Sequence, residues 1–140
     1  MAVFHLPDGE DVCFLELADV HSFHDTYALA DGNLPGLLDV GKLEGGLARP
    51  RNLLAYDQPR PDLIKLAAIL WHGISEAHGY QDANKRTALL TMTAFLLMNG
   101  VTLDAGEFDP ALMILQWYHE QDVRPDRMEA FLRAHCRWTL

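Results

Sequence analysis

Apolar residues recur at helical spacing along most of this chain, and the longest such run covers 87–98. Asn99-Gly100 ends it as a helix C-terminus would. Asp82 stands where an N-cap belongs. The run therefore predicts a helix over 83–99, with Ala83, Asn84, Lys85 and Arg86 as its first turn. Being apolar on all sides, this helix belongs at the centre of a core. Upstream, Leu63, Ile64, Leu66, Ala67, Ile69, Leu70, Ile74 and Ala77 share a helical period. Pro61 suits the first position of that helix, and Gly79 the left-handed cap at its end.

Residues 17–30 also have helical spacing, with Leu17, Val20, His24, Tyr27 and Leu29 toward one side. Before them, 12–17 reads as an extended arm or a lead-in to the helix. Breakers crowd 32–61, which predicts a loop or small extended flap with a short helix near 42–47. A loop that long in a small chain is usually functional. Residues 101–109 read as a connection. Asp109-Pro110 opens a helix over 110–120, and 125–138 forms the last helix. The sum is one all-α domain over 1–140, with about six helices around an apolar central one.

Composition narrows the function. The 140 residues carry 20 acids and 11 bases, a net charge of -9. Direct nucleic-acid binding rests on neutralised phosphates and is disfavoured. Membrane spanning is disfavoured too, because the apolar run is shorter than the ~20 residues a span needs. Acidic residues break up the N-terminus, so no signal peptide is expected and the cytoplasm is the expected location. Cys13 and Cys136 are expected to be free thiols there, although they are able to pair.

The first turn of the 83–99 helix has the wrong charge for a plain helix start. Helix N-termini carry partial positive charge and free N–H donors, so Lys85 and Arg86 cost stability there unless an anion sits on the turn. With an anion present, the amides, Asn84, Lys85 and Arg86 converge on it, as in a phosphate site. The plainer reading leaves both cations in solvent; His78, across the turn, favours the site. Two other clusters are weaker. His21 and His24 lack a third metal ligand, and His78 is poorly angled to His72 and Glu76.

His78, Tyr80, Asp82, Ala83, Asn84, Lys85, Arg86 and Thr87 together resemble the signature of the Doc toxins within the Fic/Doc family. The broader Fic signature is His-Pro-Phe-x-Asp/Glu-Gly-Asn-Gly-Arg, so Lys85 stands where Fic has its second Gly. The resemblance extends upstream through 33–44 and 48–50. Gly79 departs from it, since Pro or a larger residue is common there.

That resemblance implies a compact Fic/Doc-like fold and a toxin of a toxin–antitoxin system. It implies ATP and Mg²⁺ as cofactors, with Asp82 as the metal ligand and Ala83, Asn84, Lys85 and Arg86 around the phosphates. His78 would be the base, with Asn84, Lys85 and Arg86 stabilising the transferred group. Doc-type members phosphorylate a hydroxyl of a translation factor, elongation factor Tu being the best-known target, and arrest translation. Fic-type members move AMP instead. Lys85 fills the space that Gly leaves for two phosphates, which favours kinase over AMP transferase. A non-catalytic module retaining the fold is a further alternative. The family's autoinhibitory Ser/Thr-x-x-x-Glu-Gly/Asn is not matched, because Val40 precedes Glu44-Gly45 in place of Ser or Thr. A separate antitoxin with a helical inhibitory segment is therefore expected. His24-Asp25 also matches a His-Asp of the family, which suggests a structural or docking role.

Overall fold

A computed structural model describes residues 2–5 and 11–138, with side chains described from residue 11 onward. The chain opens with an antiparallel pair, β1 (Ala2–His5) and β2 (Asp11–Phe14), in the register Ala2↔Phe14. The stretch expected as an arm or a lead-in thus begins as a strand. Helix α1 (Leu17–Phe23) runs on into a π-helical turn, His24–Ala28. Helices α2 (Val40–Tyr56), α3 (Leu63–Ala77) and α4 (Asn84–Met98) follow. A short strand β3 (Val101–Leu103), helices α5 (Pro110–His119) and α6 (Pro125–His135), and strand β4 (Cys136–Trp138) complete the order. The architecture is all-α, as the pattern predicts.

Helix α3 packs against α2, α4 and α6, and α4 packs in turn against α5 and the α1–π segment. Both lie in the core, and α3 is the more completely buried. Trp71, Leu66, Leu70 and Ile74 from α3 meet Met92, Phe95 and Leu96 from α4 in one apolar cluster. Each such side chain contributes roughly 1.5–3 kcal/mol by leaving water. Thr87 and Thr91, buried on α4, donate their hydroxyls to the carbonyls of Ala83 and Thr87, both at 2.7 Å. No buried hydroxyl is stranded on this face of α4, so the threonines keep the helix apolar in effect.

Several boundaries differ from the sequence pattern. The short helix expected near 42–47 is the seventeen-residue α2, which starts at the Asp39 cap and carries Pro50 inside it. Gly46 within it serves contact rather than turning. A Cβ on Gly46 would lie 2.9 Å from the Gly73 carbonyl oxygen, so this pair lets α2 and α3 cross closely. Asp62, not Pro61, opens α3. Its carboxylate accepts from the Lys65 amide at 2.9 Å, and Pro61 precedes the cap. The expected last helix ends at His135, because Cys136–Trp138 turns extended to pair with β3. Tyr27 is 70% exposed rather than on the apolar side, since the π turn rotates it outward. Cys13 and Cys136 are both free thiols, and burial pushes Cys136 up to about 11.

Candidate active site

The junction between α3 and α4 is held from three directions. His78 caps α3 in the left-handed conformation, φ 46 and ψ 45. The expectation of a left-handed Gly79 is therefore corrected. Gly79 is needed for space instead, because a Cβ there would lie 2.2 Å from Leu43 Cγ. The Gly79 carbonyl accepts from the amides of Leu38, at 2.7 Å, and Asp39, at 3.1 Å. Gln81 N donates to the Gly36 carbonyl at 3.0 Å, and Leu37 bridges to Tyr80. The flap before α2 is thus sewn to the motif.

The π turn braces the same junction from the other side. His24 is fully buried and stacks on Tyr80, with ring centroids 3.7 Å apart. Its Nε2 donates to the Asp82 carbonyl at 2.9 Å, and its Nδ1 lies 2.7 Å from an Asp25 carboxylate oxygen. The structural role expected of His24-Asp25 is found here, and π turns are frequent at functional sites. His21 Nδ1 lies 2.7 Å from the Tyr80 hydroxyl, whose acidity burial and Asp25 suppress. These histidines therefore hold the motif through Tyr80 and Asp82.

Asp82 is not the N-cap of α4. Ala83 holds that position, left-handed at φ 66, and offers no capping side chain. The Asp82 carboxylate accepts from the Leu34 amide at 2.7 Å and so fastens the flap. Asn84 closes the turn with its amide group, which accepts from Tyr80 N at 3.0 Å and donates to Tyr80 O at 2.8 Å. Arg86 donates to the carbonyl of Ala28 at 2.7 Å and to Asn33 Oδ1 at 3.1 Å. Lys85 reaches over the ring of Tyr118, with Nζ 4.6 Å from its centroid.

A cleft of about 250 Å³ opens at this end of α4. One wall is polar: Asn33, Asp82, Ala83, Asn84, Lys85 and Arg86. The opposite wall is apolar, from Leu89, Ala111, Ile114 and Leu115. The first-turn amides of α4 have no carbonyl partner within the helix and carry its positive end. The cleft thus pairs a floor of open amides and two cations with a wall suited to an apolar or aromatic group. Of the residues singled out in the sequence, Asp82, Ala83, Asn84, Lys85 and Arg86 meet here. His78 stands exposed on the same turn and does not line the cleft. Asp82 supplies the one carboxylate among the lining residues. That donor set suits Mg²⁺, which takes one or two carboxylates and fills its remaining positions with phosphate and water. Among the described residues no group of three or more His, Cys, Asp or Glu forms a protein-only metal site.

Asn33 and the α5 residues escaped sequence reasoning. Asn33 opens the 33–44 stretch that shares the family resemblance, but nothing local marks its side chain as facing the cleft. Ala111, Ile114 and Leu115 look like ordinary helical core positions, and only the α4–α5 packing brings them to the cleft.

An all-α domain with an anion-receptive helix start is thus in place when the chain is set beside known proteins. The family model described as "Fic/DOC family" matches residues 14–96, and the chain belongs to that family. It is 36% identical over 80 residues to "Protein kinase doc" of Escherichia phage P1, across 57% of this chain and 63% of that one. It is 35% identical over 82 residues to "Toxin Doc" of Mycolicibacterium smegmatis, across 59% and 62% respectively. Each match spans less than two thirds of the relative's length. Among solved structures it resembles the N-terminal Fic domain of a cell filamentation protein, a VirB-translocated Bep effector of Bartonella quintana, solved with bound ADP. That likeness has a TM-score of 0.50 at 15% identity and covers 99% of this chain and 62% of the other, so it speaks for the fold alone.

Proposed function

We propose that this chain is a Doc-type toxin that transfers the γ-phosphate of ATP to a protein hydroxyl. The observation that carries the proposal is Lys85 beside the open amides of α4, where the Fic signature has Gly. A lysine there narrows the helix start and adds a charge suited to a terminal phosphate. The names of the two Doc relatives, a kinase and a toxin, support the same reading. The nucleotide class also agrees with the ADP held by the Bartonella Fic domain.

In this mechanism the γ-phosphate rests on the amides of Asn84, Lys85 and Arg86. The apolar wall of Leu89, Ile114 and Leu115 lies against the rest of the nucleotide. Arg86, braced by Ala28 and Asn33, keeps its charge at the helix start without having to be ordered on binding. His78 accepts the proton of the attacking hydroxyl as the new O–P bond forms, and the bond to the β-phosphate oxygen breaks to release ADP. Asp82 would hold Mg²⁺, which neutralises phosphate charge when bound. The target is a translation factor of the elongation factor Tu class, and an antitoxin with a helical segment restrains the enzyme in the cytoplasm.

Mass spectrometry of a cell lysate treated with the protein and ATP tests this. A gain of about 80 Da on one protein is the phosphate expected. A gain of about 329 Da is AMP, and would replace this reading with the Fic-type one. No modification, with no ATP turnover, would leave a binding module.

A further inference from the structure

Lys85 is not free in solvent. Its ammonium lies over the face of Tyr118, 4.6 Å from the ring centroid, a cation–π geometry. Tyr118 belongs to α5 and is itself held, since its hydroxyl donates to Glu76 Oε1 at 3.0 Å. Glu76 sits in the last turn of α3, two residues before His78. A chain of contacts, Lys85 to Tyr118 to Glu76, therefore joins the start of α4 to the end of α3 by way of α5. Burial, and then the Glu76 carboxylate, keep the phenol protonated, so it remains a donor to Glu76 across the working range. Tyr118 packs against the core cluster and does not line the cleft.

We infer that Tyr118 is a positioning residue: its ring, anchored by Glu76, holds the Lys85 ammonium at the rim of the cleft. This rests on the reading of the cleft as a nucleotide site. A lysine has four rotatable bonds and would otherwise sweep a wide arc. Tethered, it is ordered before substrate arrives, so its charge costs less to place on the transferring phosphate. The transition state gains more than the ground state, so the effect belongs in kcat rather than KM.

The test uses Tyr118→Leu, Tyr118→Phe, Glu76→Gln and Lys85→Met, with two readouts. Proton NMR first reads the contact itself. The Lys85 side-chain protons are shifted upfield by the ring in wild type and in Tyr118→Phe, and lose that shift in Tyr118→Leu. An unshifted Lys85 in wild type overturns the inference. Steady-state γ-phosphate transfer then reads the consequence. Tyr118→Leu lowers kcat about tenfold with KM for ATP nearly unchanged, and Tyr118→Phe restores most of it. In the Lys85→Met background, Tyr118→Leu has no further effect, because the residue it positions is gone. Independent, multiplying losses in the double variant would show a merely structural role. If Tyr118→Leu does not fold, Glu76→Gln, an exposed change, takes its place with a smaller kcat loss that also vanishes in Lys85→Met. A wild type with the shifted Lys85 but no phosphate transfer overturns the reading of the cleft, and the positioning role with it. Transfer by wild type with additive variants overturns the positioning role alone.

Discussion

Two non-glycine residues, His78 at φ 46 and Ala83 at φ 66, bracket the motif in the left-handed region. Each costs about 1–2 kcal/mol relative to ordinary backbone. Ala83 has no side-chain bond that offsets this, and the broader Fic signature places Gly at that position. Ala83→Gly is therefore expected to raise stability by up to about 1 kcal/mol, less the extra freedom that Gly gives the unfolded chain. Thermal unfolding checks it, and a lower melting temperature would mean that the strain is relieved elsewhere. His78 is exposed, so His78→Ala should leave unfolding nearly unchanged while transfer falls by about a hundredfold or more. An equally active, folded variant would remove His78 from the base role. At this scale the sequence exposed residue types well and their contacts poorly. Asp82, Lys85 and Arg86 stand out by charge and position. That Asp82 would fasten Leu34 rather than cap α4 depends on a partner 48 residues away, which no local pattern encodes.

At the scale of elements, space decides where breakers stand. Gly46 and Gly73 let α2 and α3 touch, and Gly79 admits Leu43. Gly79→Ala forces the new Cβ into Leu43 and should cost about 1–3 kcal/mol by overpacking. Leu43→Ala in the same chain should then cost less than it does alone, because the clash is gone. Denaturant unfolding of the four chains measures that coupling, and simple additivity would refute the packing account of Gly79. Asp62 stands at the head of the most buried helix. It caps α3 and pairs with Arg133 through two bonds, of 2.9 and 3.0 Å. That pairing, with the cap, holds its carboxyl below the usual aspartate range. A depressed carboxylate stabilises the folded chain above its unfolded pKa, and the gain is lost as pH falls through the lower, folded value. The pair is about half exposed, so solvent screening limits what it contributes to stability, and the cap adds to it. Asp62→Ala should cost about 1 kcal/mol at neutral pH, and the gap to wild type should narrow below pH ~4. A gap constant with pH would contradict the assignment. Periodicity made α3, α4 and α5 legible, because their apolar stripes are long. It hid α2, whose Gly41, Gly45, Gly46 and Pro50 read as breakers although Gly46 is there for close packing, and it ran α6 into β4, since short strands carry no periodic signal.

Across the whole molecule, a net charge of -9 surrounds a helix start that carries Lys85 and Arg86. The acidic surface disfavours polyanions, while the local pair and the amides suit the small phosphate group that the proposed function requires. None of the described helices is long and apolar enough to cross a membrane. The all-α class was readable from helical periodicity, and the family because the motif is contiguous. The cleft was only half readable, since its apolar wall comes from α5, remote in sequence, and appears only once α4 and α5 have packed.

The measurement that bears most directly on the central claim compares γ-labelled with α-labelled ATP as donors to one protein target. It uses wild type, Lys85→Gly and Arg86→Ala. Wild type should transfer γ-label and no α-label. Lys85→Gly should lose at least about tenfold of that transfer, and Arg86→Ala nearly all of it. Transfer of α-label by wild type, with γ-label left unused, would contradict the account and make this cleft an AMP-transfer site.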